Sequence, residues 1–593
     1  MPGYHGKILV ADLSKKETSV ITVEEQVATL FLGGSGYAGR LLYDLLDSTC
    51  APLGPNNMLL FMTGPLTGTL APCTGRHVVC GRSPITGFWG ESNAGGHFGF
   101  QLKASGFDGI LVTGASETPL VLDVNNGRAS FRTADHLWGL TTGETQKALK
   151  KSQRRMQVAC IGPAGENLVK FASIVNDERV AARCGLGAVM GSKKLKAITV
   201  SGSRDTPLAF PDEFKELALS SSKILGEAMG MLREQGTALY IDIGMMFNDV
   251  PIRYFQDIAF DDADLINAKS LSEMLVGRSA CHSCPIGCGR RVSIPEFNLE
   301  DVAGPEYQTL AAFGTNLMVS DLKKIVLMNR LCNEYGMDTI SCGSTIACAT
   351  HLCDTGKADY GLRWADPDGV IELIHAISRR EGIGNILAEG SLALGKIHGA
   401  EEFVLHVKGL EIPNHDPRAF SGMATVYATA SRGATHLEGD MYSVDMGADV
   451  RELGISAGDR SVNQDKGNTA ARAQDFRAFC DSVIMCHFAI VPLKTILDLL
   501  NLAIGSSYRL EDILKIGSRA VTMKRLFNLR CGFIPQDDCL PQPLLTPQAE
   551  NVTDGFVPDL ELQLRDYYDY RNWDRNTGRP RNVALRELGI DVK

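Results

Sequence analysis

The sequence predicts an α+β fold in which a β-rich N-terminal domain precedes two mostly helical domains. Residues 1–205 contain short runs of Val, Ile, Leu and Thr that are bounded by Gly and Pro, a pattern typical of strands. The clearest runs lie at 59–63, 77–81, 109–113 and 120–124. Helical periodicity is sparse in this part and dominates the rest of the chain, with clear examples at 321–334 and 370–381.

Two changes of pattern divide the chain into three predicted domains. Pro211 is followed by two acidic residues, which is typical of the first turn of a helix. A Gly- and Pro-rich stretch at 408–418 precedes further helical patterns at 471–489 and 491–502. We therefore expect domains at 1–205, 206–408 and 409–593.

Composition and charge exclude several classes of protein. The 593 residues are 44% hydrophobic and 22% charged, which is usual for a globular protein with a large core. The net charge of -10 is spread over interspersed acids and bases, so nucleic-acid binding is not expected. The longest apolar stretch, 483–505, contains His487, Lys494 and Asp498, so no membrane span is expected. No signal peptide is evident, and we expect a cytoplasmic protein.

Three of the sixteen cysteines lie within eight residues, in Cys281-His-Ser-Cys284-Pro-Ile-Gly-Cys288. A compact loop of this kind can direct three thiolates at one [4Fe–4S] cluster, and the fourth ligand must then come from elsewhere in the chain. Cys480 and Cys486 are both candidates, and the residues alone do not separate them. A structural zinc site is one alternative, but no second Cys-x-x-Cys is present to close it. Buried free thiols are another alternative, although such thiols are rarely so clustered.

Several glycine loops in the N-terminal domain are suited to an anionic cofactor. Thr74-Gly-Arg76 offers a guanidinium group, the segment 92–97 offers backbone amides, and 181–194 contains three glycines and three cations. Each loop alone is a weak signal, because tight turns in a β-rich domain also use glycine. Gly185-Leu-Gly187 is not a G-x-G-x-x-G motif that follows a strand and opens a long βαβ unit, and no P-loop is present, so a nucleotide site is not expected.

Taken together and in this order, these segments resemble the aldehyde:ferredoxin oxidoreductase family along nearly the whole chain. Further motifs of the resemblance lie at 4–9, 33–38, 63–69, 304–307, 336–341, 388–390, 431–436, 481–482 and 567–574. The resemblance implies a β-rich domain that seats the cofactor and two helical domains that close over it. The implied cofactor is tungsten, or molybdenum, held by two pterin dithiolenes whose phosphates are joined by Mg²⁺.

The resemblance also implies which residues contact the cofactors. Those implied for the pterins and their phosphates are Arg76, Asn93, Gly95, Ala182, Arg183, Asp338 and Asp481. Asn93 would lie near the Mg²⁺, and Arg179 is a rival to Arg183. The implied cluster ligands are Cys281, Cys284, Cys288 and Cys486. The family pattern places its last cysteine five residues after the aspartate of an Asp-Ser pair, which favours Cys486 over Cys480.

Three residues are implied to lie near the metal. His436 matches a histidine suited to donate a hydrogen bond or a proton there, although a lone histidine can also be a core residue. Gln308 stands where family members commonly have Glu, and because Gln cannot take a proton, ordinary aldehyde oxidation is in question. Cys342 stands where a non-thiol is usual, four residues after Asp338. It is either a ligand of tungsten, as in the related class II benzoyl-CoA reductase, or a small buried residue on a helix.

The resemblance implies an oxidoreductase that couples redox chemistry of an aldehyde or a carboxylic acid to one-electron transfer through the cluster. The runner-up in the family is reduction of an aromatic or enoyl acyl-CoA. A ferredoxin, or an iron–sulfur or flavin subunit, is the expected electron partner in a homo- or hetero-oligomer, because one cluster relays single electrons. Outside the family, the alternatives are a non-enzymatic electron-transfer or cofactor-storage subunit and a zinc-stabilised binding protein.

Overall fold

A computed structural model describes residues 1–151 and 155–592 of the chain. Within these residues, the N-terminal part is built on two six-stranded sheets. Their strands are β1 Lys7–Asp12, β2 Glu17–Thr22, β3 Leu59–Met62, β4 His77–Arg82, β5 Trp89–Ala94, β6 Gly109–Thr113, β7 Leu120–Asn125, β8 Arg128–Thr133, β9 Gln157–Cys160, β10 Ile174–Asn176, β11 Arg179–Ala181 and β12 Leu195–Ser201. The four runs that the sequence analysis selected correspond to β3, β4, β6 and β7.

The two sheets share one buried core. The first sheet has the order β2-β1-β6-β3-β4-β5, and the second has the order β11-β10-β9-β12-β7-β8. Neighbouring strands are antiparallel except that β1 pairs in parallel with β6 and β12 with β7. Phe61 and Ile110 of the first sheet join Leu122 and Ile198 of the second in the core. The edge strands β5 and β11 contact each other, so the glycine loops that follow them lie together.

The N-terminal part contains more helix than its sequence pattern predicts. Its helices are α1 Glu25–Phe31, α2 Gly34–Leu45, α3 Phe98–Ala104, α4 Thr142–Lys150, α5 Pro163–Glu166 and α6 Leu186–Ser192. Helix α2 begins with three glycines among its first six residues, which lowers its intrinsic helix propensity. Gly34 is required by tertiary packing, because a Cβ there would overlap the carbonyl oxygen of Asp481.

The second part of the chain is mostly helical. Its helices are α7 Pro211–Ala228, α8 Gly230–Gln235, α9 Tyr240–Met246, α10 Ala268–Ser272, α11 Tyr307–Phe313, α12 Leu322–Tyr335, α13 Thr339–Asp354, α14 Pro367–Arg379, α15 Ile383–Leu387 and α16 Ser391–His398. One three-stranded sheet interrupts them, with strands β13 Leu275–Ser279, β14 Gly289–Ile294 and β15 Leu299–Ala303. The predicted helix start at Pro211 and the predicted helices at 321–334 and 370–381 are confirmed within one to three residues.

The elements of the third part pack around the helix Lys466–Val483. Its strands are β16 His406–Val407 and β17 Leu410–Glu411, and its helices are α17 Gly422–Thr429, α18 Met441–Asp445, α19 Lys466–Val483, α20 Leu493–Ile504, α21 Leu510–Arg530, α22 Leu560–Tyr570 and α23 Asn582–Leu588. The sequence pattern predicted that the helix before Val491 continues to 489, but α19 ends at Val483. Ile484 adopts a left-handed conformation there, with φ of 64°, and turns the chain towards the N-terminal glycine loops.

The β-rich N-terminal part and the helical remainder confirm the predicted α+β class. The boundaries 1–205, 206–408 and 409–593 stay predictions. None of the helices in the part of the chain that the structure describes is both long and apolar enough to cross a membrane.

We expect His77 to make the fold sensitive to acid. Its ring packs against Phe61 and Phe98, and neither ring nitrogen has a hydrogen-bond partner among the described residues. Burial lowers the pKa of His77 from 6.5 to about 3, so the unfolded chain takes up a proton first as the pH falls below 6.5. This linkage costs about 2 kcal/mol of stability between pH 7 and pH 5. Denaturant unfolding at both pH values should show a smaller loss for His77→Phe, whereas the same loss in both proteins would contradict the prediction. Substitution of the exposed His136 by Phe is the control.

Candidate functional site

A cavity of about 310 Å³ lies where the three parts of the chain meet. Nine residues named from the sequence line it: Arg76, Asn93, Gly95, Arg179, Ala182, Arg183, Gln308, Asp338 and His436. Asp481 and Cys342 are not among the lining residues, and neither are the four predicted cluster ligands. Further lining residues that were not assigned a role from the sequence include Glu178, Arg290, Glu306, Arg432 and Thr435.

Guanidinium groups dominate the charge of the cavity wall. They belong to Arg76, Arg179, Arg183, Arg290 and Arg432. Arg183 is held by the third part of the chain, because its Nη2 donates to the carbonyl oxygens of Glu411 at 2.7 Å and Ala434 at 3.0 Å. Its Nε has no partner among the described residues, and neither has Nη2 of Arg179. Buried guanidinium donors without partners favour a bound anion, because an unmade hydrogen bond in a buried site is costly.

Two carboxylates lie near this positive wall, and Asp338 pairs with Nη1 of Arg183 at 3.4 Å. Asp338 begins α13, and its side chain accepts hydrogen bonds from the backbone N–H groups of Ile340 and Ser341 at 3.1 and 3.2 Å. Asp481, near the end of α19, lies behind Asn93 and accepts a 3.1 Å hydrogen bond from its Nδ2. Burial, with Glu91 nearby, raises the pKa of Asp481 to about 6.

Arg76 joins the cavity to the cysteines. Its Nε donates to Oδ1 of Asn93 at 2.7 Å, and its Nη1 lies 3.9 Å from Sγ of Cys486. Gly95 also lies between the two regions, since a Cβ there would be 2.6 Å from Sγ of Cys281. A side chain at position 95 would therefore displace a thiol, which explains the glycine. The cavity and the thiols form one continuous site.

The cysteine motif forms the loop of the β13–β14 hairpin, whose register pairs Ser279 with Gly289. Cys486, which follows the end of α19, joins the three thiols of this loop. Burial raises the pKa of Cys486, and the neighbouring Cys281 and Cys284 raise it further, whereas Arg76 opposes the rise. Cys480 lies elsewhere, packed in the core beside Arg477 and Asp481. The structure therefore places Cys486, and not Cys480, with the loop.

This thiol group does not fit a mononuclear metal site. Within residues 1–151 and 155–592, no three His, Cys, Asp or Glu side chains converge closely enough to hold a single ion. A tetrahedral zinc site requires such convergence, whereas a [4Fe–4S] cluster takes each thiolate at a different corner. Arg76 and Arg179 provide positive charge beside the thiols. The donor set therefore fits an iron–sulfur cluster better than zinc.

His436 and Gln308 line the cavity, and each has a buried side-chain nitrogen without a hydrogen-bond partner among the described residues. Nδ1 of His436 has no hydrogen-bond partner among the described residues, and burial together with His415 lowers its pKa well below the usual value. The ring is therefore neutral at neutral pH. Oε1 of Gln308 accepts hydrogen bonds from N and Nδ2 of Asn414 at 2.9 and 3.0 Å. These bonds fix the amide and leave Nε2 as a donor that has no partner in residues 1–151 and 155–592.

Cys342 lies on α13 but faces the core. It is fully buried and contacts Cys332 of α12. This position agrees with the alternative of a small buried residue on a helix. Whether Cys342 reaches the metal stays a prediction.

Several residues of the site were not predicted from the sequence. Glu306 pairs with Arg179 at 3.2 Å at one side of the cavity, and Arg432 donates from Nη1 to the carbonyl oxygen of Glu91 at 2.7 Å. Glu306 and Arg432 lie in two motifs of the family resemblance, at 304–307 and 431–436. These motifs could have indicated both residues, but no role was predicted for either. Cys73 adjoins the cysteine group, and no sequence signal pointed to it.

Comparison with known proteins agrees with this architecture. Residues 8–202 match the model of the aldehyde ferredoxin oxidoreductase N-terminal domain, and residues 218–590 match the model of domains 2 and 3 of the same family. The tungsten-containing aldehyde ferredoxin oxidoreductases of Thermococcus kodakarensis and Pyrococcus furiosus are each 38% identical to this chain, over 100% of the chain and 99% of the relative.

A solved structure shares the fold. The active-site complex BamBC of benzoyl coenzyme A reductase, determined with 1,5-dienoyl-CoA, contains a chain that superposes with a TM-score of 0.85 at 24% identity. The superposition covers 99% of this chain and 97% of the other. The family resemblance seen in the sequence is thus confirmed, and the chain belongs to the aldehyde ferredoxin oxidoreductase family of oxidoreductases.

Proposed function

We propose that this protein is a tungsten–bis-pterin oxidoreductase, with molybdenum as the alternative metal. It couples the redox chemistry of an aldehyde or a carboxylic acid to one-electron transfer through a [4Fe–4S] cluster. The observation that carries the proposal is the contact of Arg76 with both the arginine-lined cavity and Cys486. The names of the two relatives from Thermococcus and Pyrococcus, which contain tungsten, aldehyde and ferredoxin, support the same chemistry here.

The cavity fits an anionic pterin cofactor. Arg183 and Arg179 offer unpartnered donors to phosphate groups, and Arg76 offers a third guanidinium. Asp338 and Asp481 are suited to accept N–H bonds from the two pterin ring systems. The short side chains at Gly95 and Ala182 leave the backbone open to close approach. Asn93 would lie near a Mg²⁺ that joins the phosphates. The hydrogen bond from Arg76 orients the side-chain oxygen of Asn93.

Two residues of this chain are suited to act on the substrate. The metal would supply the two-electron redox chemistry, and the cluster would pass the electrons on singly. His436 is neutral at neutral pH and can exchange a proton with a bound substrate or accept its hydrogen bond. Gln308 can donate from Nε2 to a substrate oxygen but cannot take its proton. His436 is therefore the proton-transfer residue in this proposal.

A separate electron carrier is part of the proposal. A ferredoxin, or an iron–sulfur or flavin subunit, would exchange electrons with the cluster in a homo- or hetero-oligomer in the cytoplasm. The polypeptide alone should not oxidise NADH, because a single cluster cannot accept a hydride. Robust NADH turnover by the isolated chain would contradict this expectation.

Gln308 supports a second candidate function, the reduction of an acyl-CoA. Its amide is fixed by Asn414 and leaves the cavity without a carboxylate base at that position. An active site that delivers electrons to a bound acyl-CoA has less need of such a base. Reduction of an aromatic or enoyl acyl-CoA is therefore the alternative reaction.

One anaerobic preparation tests the proposal. We expect tungsten or molybdenum, pterin and four iron atoms per chain, the iron count being that of one [4Fe–4S] cluster. Viologen-coupled assays with aldehydes and with aromatic or enoyl acyl-CoA esters then decide between the two reactions. A protein that contains zinc and neither iron nor pterin would overturn both candidates.

X-ray absorption at the tungsten edge tests Cys342 separately. If Cys342 is a ligand, the wild-type spectrum should show one more sulfur than the spectrum of Cys342→Ser. Because the structure places this thiol against Cys332, direct ligation requires a rotation of its side chain towards the cofactor. The same sulfur count in both proteins, with unchanged activity, would leave Cys342 as a packing residue.

A further inference from the structure

We infer that Cys73 is a fifth thiol of the cluster site and that it tunes the reduction potential of the cluster through an S–H···S hydrogen bond to Cys284. The inference rests on the [4Fe–4S] cluster of the proposed function. It assigns a role to a residue that is not needed as a ligand, because the loop cysteines and Cys486 already supply four thiolates.

The side chain of Cys73 is directed at the ligand loop. Its Sγ lies 3.6 Å from Sγ of Cys284, within the range of a sulfur hydrogen bond. Cys73 is only 2% exposed and lies in an apolar cluster with Leu225 and Ile286. The Cys73 thiol is therefore shielded from water and has the partly buried Cys284 as its acceptor.

The backbone of Cys73 holds the two segments that supply the ligands. Its N–H donates to the carbonyl oxygen of Ser283 at 2.8 Å, and its carbonyl oxygen accepts from the N–H of Cys486 at 3.0 Å. Cys73 adopts a left-handed conformation with φ of 61°, which is uncommon for a residue other than glycine. The position of the thiol is thus determined by contacts on both sides of the cluster site.

The hydrogen bond has a defined electrostatic effect. Sγ of Cys284 also interacts with the backbone N–H groups of Ile286 and Gly287, and Cys73 adds a third donor. Donors to a cluster sulfur stabilise the reduced cluster, which carries one more negative charge, and so raise the reduction potential. Cys73 is therefore a positioning and tuning residue, and not a ligand.

Redox titration monitored by EPR tests the inference in the holoprotein. Cys73→Ala should retain four irons per chain and show a lower reduction potential than the wild type. Cys73→Ser should restore most of the difference, because a hydroxyl group also donates to sulfur. Cys73→Gly is the second variant, since glycine accepts the left-handed backbone without a side chain, and it should match Cys73→Ala. The matched control is Cys160→Ala, which removes a buried thiol that donates a hydrogen bond to the carbonyl oxygen of Thr142.

A second readout detects the hydrogen itself. Electron–nuclear double resonance of the reduced cluster should show an exchangeable proton that D₂O removes from the wild-type spectrum and that Cys73→Ala lacks. An unchanged potential and an unchanged proton signal in both Cys73→Ala and Cys73→Gly would overturn the inference. Loss of iron in Cys73→Ala and Cys73→Gly, but not in the control, would also overturn it, because Cys73 would then be a ligand. Absence of iron from the wild type would instead contradict the proposed function.

Discussion

Replacement of Cys486 by Ala is expected to remove the [4Fe–4S] cluster. Cys486 lies with the thiols of the β13–β14 loop and interacts with Arg76, which lines the cavity. Three thiolates leave one iron of the cubane without a protein ligand, so the iron content should fall from four atoms per chain and the EPR signal of the reduced cluster should be lost. Iron analysis and EPR of anaerobically purified protein measure both effects.

Cys480→Ala is the matched control for this experiment. Cys480 is six residues earlier, is buried and lies beside Arg477 in the core. Its replacement should lower stability slightly, because a small buried side chain is truncated, but should leave four irons in place. Loss of the cluster in Cys480→Ala and its retention in Cys486→Ala would reverse the assignment of the fourth ligand.

Replacement of His436 by Gln is expected to lower kcat by about 10²–10⁴-fold, the usual contribution of a positioned proton-transfer group. Gln keeps a polar side chain in the cavity but cannot exchange a proton at neutral pH. Metal, pterin and iron contents should be unchanged, because His436 is not assigned to either cofactor. A viologen-coupled assay, with the aldehyde or acyl-CoA ester that the wild-type protein converts, measures kcat.

His351→Gln provides the comparison. His351 is buried on α13 and packs against Tyr254 and Phe403, and it is not among the residues that line the cavity. This variant should retain nearly full kcat. If His436→Gln also retained full kcat with full cofactor content, proton transfer would have to be assigned to another group, and the role of His436 would be wrong.

Much of the fold was predictable because its signals are local. The strands β3, β4, β6 and β7 are short apolar runs between turn residues, and α12 and α14 have regular helical periodicity. Helix α2 was not predicted, because its glycines oppose helix formation and the close approach of Asp481 that requires Gly34 is not visible in the sequence. Helix α19 was predicted too long for a related reason, since apolar residues continue past the point where Ile484 turns the backbone.

The sequence by itself determined the cysteine loop, the glycine loops and the family, because each depends on residues that are close in the chain or on the order of motifs along it. The tertiary structure decided which distant groups meet. It placed Cys486 with the loop and Cys480 in the core, turned Cys342 towards Cys332, and brought Cys73 to 3.6 Å from Cys284. These outcomes depend on where α19 ends and on hydrogen bonds between segments more than 200 residues apart, such as Cys73 to Ser283, and no local pattern encodes such contacts.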